Sequence, residues 1–311
     1  MTTLLQLTFA GLSMGAVYAL ISLGWTVLFQ VARIYNLAQG AFVVVSAMTY
    51  ISLTDDLGWP VPLAMAGSLA VCLVLGLVLY GVILNQRTAR GEAGPIVMSL
   101  GSALVIAETL RYVWGVDART APAFLPTGTV RILGATTVPH ALLLWAGTAV
   151  MFGAAWLMFH RTLLGKALRA CSESATGARV VGIDPRRMRL AAFTIAALFG
   201  AVGGILLAPL IAVSPHEVLP LGIFGFIGAA VGRWRYLPAA AGSVSLGLIT
   251  SYVGGYGATS WQNAVLYGSV IVALLTMRQR RPGHRPFPGV RDRIRRDPAP
   301  VAEAATEPAG S

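Results

Sequence analysis

Residues 190–210 read LAAFTIAALFGAVGGILLAPL and contain no charged side chain, although Arg186, Arg187 and Arg189 stand just before them. A helix needs about 20 predominantly apolar residues to cross the hydrocarbon core of a bilayer, and this stretch has that length. Similar apolar segments recur at residues 4–28, 37–53, 61–84, 95–114, 139–159, 219–232, 237–253 and 261–277. The sequence therefore predicts an all-α, polytopic integral membrane protein with about eight to nine transmembrane segments.

The composition of the 311-residue chain supports a membrane location, because 56% of its residues are hydrophobic and only 11% are charged. The net charge of +11 could indicate nucleic-acid binding, but the basic residues lie between the apolar segments and after the last one. Loops that face an anionic membrane surface have this distribution. We therefore expect membrane lipid, and no nucleic acid, as a partner. Cys72 and Cys171 lack disulfide or metal-site spacing, and we expect neither a metal site nor a cofactor.

The basic residues also predict the orientation of the chain in the cytoplasmic (inner) membrane. If the loop 160–189 is cytoplasmic, all but three of the 23 lysines and arginines fall on the cytoplasmic side. The three exceptions are Arg111, Arg119 and Arg131. The positive-inside rule then places the N-terminus outside and the C-terminus in the cytoplasm.

Segment 219–232 departs from the spanning pattern, because it is short and contains three glycines. These features fit a short, broken or re-entrant helix that is buried in protein. A hairpin over residues 219–253 would leave the orientation unchanged, but it would bring Arg233 and Arg235 into the membrane at a high energetic cost. We therefore do not favour a hairpin, and whether segment 219–232 spans the membrane fully stays open.

The chain divides into two parts by composition. Residues 1–278 form the predicted transmembrane domain, and residues 279–311, rich in Arg and Pro, form a predicted disordered cytoplasmic tail. Closely spaced small residues within the first part predict sites where helices approach each other. They are Gly11 with Gly15, Gly200 with Gly204, and Gly242 with Ala239.

Enzyme chemistry has little support in the sequence. Residues 11–15 match the nucleophile pattern G-x-S-x-G, but they lie inside an apolar helix rather than at a strand-to-helix turn. No phosphate-binding loop is present, so energy for active transport would come from an ion gradient or a partner subunit. Ion-coupled carriers usually place ionisable residues in mid-membrane, whereas only Glu108 and Arg111 lie within an apolar segment. This scarcity argues against a secondary carrier.

The loop 160–189 carries the most specific pattern. Residues 164–171 predict one short helix, and Gly177 or Gly182 could end a second. Asp184 and Pro185 then suit the N-cap and first position of the next helix. Two short helices with small and basic faces suit docking into a groove of a partner protein. The alternative is a solvated basic loop that only obeys the positive-inside rule.

Three stretches resemble the permease subunits of branched-chain amino acid ABC importers of the LivH type. Residues 15–24 and 36–41 are similar to the family's Y-A-L-x-A-x-G and N-F-A-H-G-E. Residues 200–206 form another similar stretch. The loop matches the family's segment that contacts the ATPase, with G-R-A-x-R-A at its start and G-I-[ND] at its end. The matching positions are Gly165, Ala167, Arg169, Ala170, Ala178, Gly182, Ile183 and Asp184.

This resemblance implies a transport subunit, not an enzyme, that moves branched-chain or related amino acids by ATP-driven alternating access. It implies several partners: two cytoplasmic ABC ATPase subunits that hydrolyse ATP, a second permease subunit, commonly in a heterodimer, and an extracytoplasmic solute-binding protein. It also makes 160–189 a cytoplasmic coupling-helix loop.

The sequence departs from the family pattern at three places. Gln39 and Ala41 stand where the family has His and Glu, and Arg233 and Arg235 replace glycines of a later turn. The basic tail from Arg278 replaces the family's usual ending, P-x-G-L-x-G. The solute therefore stays open between branched-chain amino acids and urea, short-chain amides or another small polar solute. An ion-coupled secondary carrier is the less favoured class.

Two sets of residues follow as site predictions. The ATPase-coupling set is Leu164, Gly165, Arg169, Ala170, Gly182 and Ile183. Polar groups in apolar surroundings form the translocation-pathway set, because polar side chains avoid lipid. These are Tyr18, Asn36, Gln39, Glu108 and Asn263. Each of them could instead serve only an interhelical hydrogen bond.

Overall fold

The computed structural model describes residues 2–84, 93–123, 128–132 and 135–256, together with positions 264, 268 and 271. This part of the chain is almost entirely α-helical. Its helices are α1 (Thr2–Ala32), α2 (Gln39–Ile51), α3 (Val61–Ile83), α4 (Gly94–Trp114), α5 (Pro139–Arg161), α6 (Leu163–Glu173), α7 (Ala175–Val180), α8 (Pro185–Leu207), α9 (Val218–Val231) and α10 (Tyr236–Tyr256). A π-helical turn (Ser52–Asp56) extends α2, and a 3-10 turn (Pro215–Glu217) precedes α9. The short antiparallel strands β1 (Val130–Ile132) and β2 (Ala135–Thr137) connect α4 to α5.

Six helices in the described ranges, α1, α3, α4, α5, α8 and α10, are long and apolar enough to cross a bilayer. Two shorter apolar helices, α2 and α9, pack among them. The polytopic all-α prediction is therefore confirmed, with a segment number close to the expected one. The predicted segment 261–277, apart from three isolated positions, and the predicted tail 279–311 lie outside the described residues.

The core of the bundle is built around α2, in which every residue is buried. Helices α1, α3, α8 and α9 surround it. In the most apolar 18-residue stretch of α1, 78% of the stretch is buried inside the bundle. The corresponding buried share is 17% in α4 and 28% in both α3 and α5. The exposed Leu and Val side chains of α3, α4 and α5 therefore form the surface suited to lipid.

The glycine pairs noted in the sequence lie at helix crossings. A Cβ atom on Gly15 would come within 2.7 Å of the Val244 Cα in α10. One on Gly200 would come within 2.5 Å of the Phe42 Cβ in α2. Only residues without a side chain allow backbones to approach this closely. These glycines are therefore packing positions, as the sequence indicates.

Basic residues gather at one end of the bundle, which we call the loop end. The Arg33 guanidinium donates a hydrogen bond of 3.1 Å to the carbonyl oxygen of Ser172 in α6. At the same end, Phe159 of α5 stacks on Tyr236 of α10 with ring centroids 4.9 Å apart. The residues after α1, the loop 160–189 and the turn between α9 and α10 thus share one end, as the orientation prediction requires. Which side of the membrane this end faces stays a prediction.

The turn between α9 and α10 lies at the loop end, where Arg233 and Arg235 are exposed. Arg233 and Trp234 have left-handed backbone conformations, with φ of 53° and 57°, which cost a residue with a side chain roughly 1–2 kcal/mol. The Trp234 carbonyl accepts a 2.6 Å hydrogen bond from Gln30 Nε2, and its ring stacks on Phe29 with centroids 4.1 Å apart. These contacts offset the strain, so α9 and α10 form a tight pair whose arginines stay outside the helix bundle.

An ion pair joins two connections at the opposite end. The Arg119 guanidinium donates to both carboxylate oxygens of Asp56, at 2.6 and 3.1 Å. The Arg119 backbone also pairs with Val213, at N–O distances of 2.8 and 3.0 Å. This pairing ties the chain after α4 to the chain after α8.

The Asp56–Arg119 pair should make stability depend on acidity. Hydrogen bonds from Arg119 lower the pKa of Asp56 below its ordinary value of 3.8. A carboxyl whose pKa is depressed on folding stabilises the protein above its unfolded pKa and loses that effect as pH falls through the folded pKa. We expect Arg119→Gln to lower the unfolding temperature in detergent slightly at about pH 6, because the pair is exposed. The difference from wild type should shrink as pH falls below about 4 and vanish below the folded pKa of Asp56, and a gap independent of pH would contradict this.

Candidate functional site

Side-chain caps define each helix of the loop 160–189. The Thr162 hydroxyl accepts a 3.1 Å hydrogen bond from the Gly165 amide at the start of α6, and Ser174 accepts one of 3.0 Å from Gly177 in α7. At the start of α8 the Asp184 carboxylate accepts from the Arg186 amide at 2.8 Å, with Pro185 in the first turn. The predicted short helices and the predicted Asp184 cap are confirmed. Each cap satisfies backbone donors that would otherwise lack partners.

One face of α6 and α7 anchors them to the bundle. Gly165, Leu168, Cys171 and Ala178 are buried. Gly165 lies directly against the last turn of α5, where a Cβ atom would come within 2.6 Å of the Phe159 Cα. Burial raises the pKa of the Cys171 thiol, so this cysteine stays a protonated packing residue.

The other face of α6 and α7 exposes apolar side chains at the loop end. Leu163 and Val180 are each 83% exposed, Val181 is 71% exposed and Leu164 is 38% exposed. Exposed apolar groups that flank basic residues mark interaction sites. Sequence reasoning selected Leu164 but missed Leu163, Val180 and Val181. The sequence feature that could have identified them is the pair of apolar dipeptides, Leu-Leu and Val-Val. These stand at the outer ends of the two short helices in an otherwise polar loop.

Arg169 stands exposed on this face and is held by a neighbour from α5. Its guanidinium donates a 2.9 Å hydrogen bond to His160 Nε2. The other ring nitrogen, His160 Nδ1, lies 2.9 Å from the Trp156 carbonyl, so a neutral imidazole with its proton on Nδ1 serves both contacts. Arg169 is thus presented at the surface in a fixed position.

The other predicted coupling residues complete the same surface. Ala170 and Ile183 are partly exposed. Gly182 has a φ of 82°, a left-handed conformation that favours glycine, and it ends α7. Together with the four exposed apolar residues and Arg169, this region is named the loop-end patch: Leu163, Leu164, Arg169, Ala170, Val180, Val181, Gly182 and Ile183.

Two predicted pathway residues lie where the chain turns from α1 into α2. Asn36 and Gln39 are both fully buried. Asn36 Oδ1 accepts a 3.1 Å hydrogen bond from the Ala38 amide, and Gln39 Nε2 donates one of 3.0 Å to the Ala196 carbonyl in α8. Within the described residues, Asn36 Nδ2 and Gln39 Oε1 have no hydrogen-bond partner. Unsatisfied buried polar atoms are costly and mark a place where the packing is incomplete.

Tyr18 and Glu108 lie on α1 and α4. Tyr18 of α1 is buried and stacks on Phe224 of α9, with centroids 4.5 Å apart and planes 10° apart. Glu108 of α4 has a side chain that is 67% exposed, and it forms a 3.0 Å ion pair with Arg111. Glu108 thus lies on the exposed side of an outer helix, and Asn263 lies outside the described residues.

A cavity of about 270 Å³ opens between α1, α5, β2 and the end of α8. Its walls are mainly apolar, and its polar groups come from Gln6, Ser13, Thr136 and Thr137. No charged side chain lines it, so it offers no partner for the charges of a zwitterion. In the described part of the chain, no group of three or more His, Cys, Asp or Glu side chains could hold a metal ion.

Comparisons with known proteins show which family this chain resembles. The family described as "Branched-chain amino acid transport system / permease component" matches residues 7–275. The high-affinity branched-chain amino acid transport system permease protein LivH of Escherichia coli K12 is 23% identical, over 88% of this chain and 93% of its own length. The permease BraD of the same kind of system in Pseudomonas aeruginosa is 25% identical, over 87% and 93%.

Two more distant proteins also align. The ribose import permease RbsC of Escherichia coli K12 is 24% identical over 67% of this chain and 66% of its own length. The solved structure of PsaBC from Streptococcus pneumoniae in complex with Fab covers 88% of this chain and 90% of its own, with 13% identity and a TM-score of 0.46.

Proposed function

Because this chain belongs to the family of branched-chain amino acid transport system permease components, we propose that it carries branched-chain or related amino acids across the cytoplasmic membrane as one subunit of an ATP-driven importer. The supporting relatives, LivH and BraD, align over nearly their whole length. A different small polar solute is the alternative, because a ribose permease aligns over two thirds of the chain. Urea and short-chain amides belong with that alternative.

The observation that carries the mechanism is the loop-end patch. It combines exposed apolar side chains with Arg169 at the basic end of a membrane bundle. In the proposed assembly, two cytoplasmic ATPases dock at this end, with the patch of each permease subunit in a groove of one ATPase. Arg169 then faces acidic groups of the groove, and the apolar residues supply the buried contact. A second permease subunit lies beside this one.

Two contacts support transmission of ATPase motion into the membrane. Gly165 seats α6 on the last turn of α5, and Arg33 links the end of α6 to the chain after α1. Arg33 is itself in a left-handed conformation, with φ of 56°. A shift of α6 would therefore act on the α1–α2 connection, where Asn36 and Gln39 have unpartnered atoms. This connection is our candidate for the element that alternates between two arrangements.

In the proposed assembly the loop-end patch faces the cytoplasm, so that the N-terminus lies outside and the C-terminus lies in the cytoplasm. A solute-binding protein delivers solute at the end of the bundle opposite the patch. The basic loop end supports this orientation through the positive-inside rule. The described residues between 2 and 256 contain no buried ion pair in mid-membrane, which favours ATP over an ion gradient as the energy source.

Charge reversal in the patch tests the docking assignment. An ATPase encoded by a neighbouring gene should co-purify with the wild-type protein. Arg169→Glu should detach this ATPase, because like-charge repulsion in a buried contact costs several kcal/mol. Arg235→Glu is the matched control, since it makes the same change at the same end outside α6 and α7. ATP-driven uptake of leucine, urea and ribose into proteoliposomes then identifies the solute. ATP-independent uptake, with no ATPase bound, would instead indicate a carrier.

A further inference from the structure

Glu217 is partly buried, whereas every other carboxylate in the described part of the chain is exposed. It ends the 3-10 turn before α9, at the end of the bundle opposite the loop-end patch. Its side chain makes no capping hydrogen bond. Among the described residues the ion pairs involve Glu108, Asp56 and Asp184, but not Glu217. Sequence reasoning missed this residue, because it stands in a short connection between apolar segments.

A carboxylate in this position lacks a partner for its charge. Partial burial weakens its hydration, and the described residues supply only the neighbouring His216 as a favourable charge. His216 itself is exposed. A cationic group from a ligand would restore the missing interaction, and charged hydrogen bonds of this kind are among the strong ones.

An aromatic surface lies next to Glu217. Glu217, Leu221 and Phe224 follow each other at helical spacing along one face, four and then three residues apart. Phe224 stacks on Tyr18, and Tyr18 is near enough to Glu217 to interact electrostatically. Glu217 therefore lies near an aromatic stack in which Tyr18 is buried and Phe224 is partly exposed.

This arrangement complements an amino acid with an apolar side chain. The ammonium group matches the carboxylate, and the apolar side chain matches the partly exposed ring of Phe224. Neither other polar region does this, since the cavity near Gln6 has no charge and Asn36 with Gln39 offers only amides. A neutral solute such as a sugar or urea would leave the charge of Glu217 unpaired.

We propose that Glu217 receives the ammonium group of the incoming amino acid, with the exposed part of Phe224 against its side chain. This inference rests on the proposed amino acid import. It makes Glu217 a specificity-determining residue at the entry side of the permease. Solutes with an ammonium group are admitted, and neutral solutes of similar size are disfavoured.

The test uses the complete transporter in proteoliposomes with leucine-loaded binding protein. Glu217→Gln should lower leucine uptake at least about tenfold, as expected for loss of a charged hydrogen bond. Glu217→Asp should restore part of the uptake. His216→Gln is the matched control, because it changes the exposed neighbour and leaves the carboxylate.

Each outcome separates the two proposals. If wild-type protein fails to import leucine, the proposed amino acid import is wrong. If wild type imports leucine and Glu217→Gln does so equally well, this inference alone is overturned. A carboxylate that only stabilises the start of α9 predicts a lower unfolding temperature for Glu217→Gln, with normal uptake per folded molecule, and that result would also overturn it.

Discussion

Replacing Gly204 by alanine should destabilise the bundle strongly, with a large loss of folded protein. A Cβ atom at this position of α8 would overlap the Val43 carbonyl and the Ser46 hydroxyl of α2. Because α2 is buried on all sides, it cannot move away. Overpacking costs about 1–3 kcal/mol. Displacing Ser46 also breaks its 2.9 Å hydrogen bond to the Ala201 carbonyl, which adds roughly 1 kcal/mol.

The neighbouring glycine provides the control for this prediction. A Cβ atom on Gly203 would lie 3.5 Å from the Leu20 Cβ, which is an ordinary contact. Gly203→Ala should therefore fold normally and gain up to about 1 kcal/mol from helix propensity. Unfolding temperatures and monodisperse yield in detergent compare the two variants. Similar losses in both would mean that the α2–α8 contact does not limit stability.

Gly165→Val should abolish transport while the membrane bundle stays folded. The new side chain would push α6 off the last turn of α5, where the Phe159 Cα lies 2.6 Å from the ideal Cβ position. Helix α6 lies at the surface of the loop end, so the membrane helices keep their contacts. We expect leucine uptake to fall by more than about tenfold, because small errors in the placement of a coupling element are costly.

A glycine in the neighbouring helix α5 serves as the control for replacing a helical glycine. Gly153 in α5 is exposed, and no atom lies within 4 Å of an ideal Cβ there. Gly153→Ala should therefore import leucine normally. ATPase activity stimulated by loaded binding protein, measured with uptake, shows whether Gly165→Val uncouples the two. Normal uptake would contradict the assignment of α6 as the coupling helix, and loss of folded protein would contradict its separation from the bundle.

The sequence predicts the membrane architecture well, because two simple physical signals determine it. Apolar runs of spanning length place α1, α3, α4, α5, α8 and α10, and lipid tolerates little else. Local chemistry places the start of α8, since Asp184 and Pro185 form a cap without help from the rest of the fold. Close glycine spacing also identifies true crossings, such as Gly200 and Gly204 against α2.

The site residues are harder to predict, because exposure and neighbours depend on tertiary packing. Glu108 stands in an apolar segment, but α4 presents it to the outside beside Arg111. Glu217 stands in a connection, but the turn that carries it packs against α2, α4 and α9. The apolar residues of α6 and α7 have opposite environments, with Leu168 buried and Leu163 exposed. Hydropathy alone cannot separate these cases.

The pairing of α1 with α10 has a consequence for how the protein is made. Helix α1 leaves the ribosome first, yet its most extensive neighbour, α10, begins only at Tyr236. At about 5–20 residues per second, roughly 10–40 s pass between the synthesis of the two helices. During that time the glycine face of α1, with Gly11 and Gly15, has no backbone to pack against. A nascent chain that stops before Tyr236 therefore remains an unfinished membrane protein, open to quality-control proteolysis however many of its spans have already inserted.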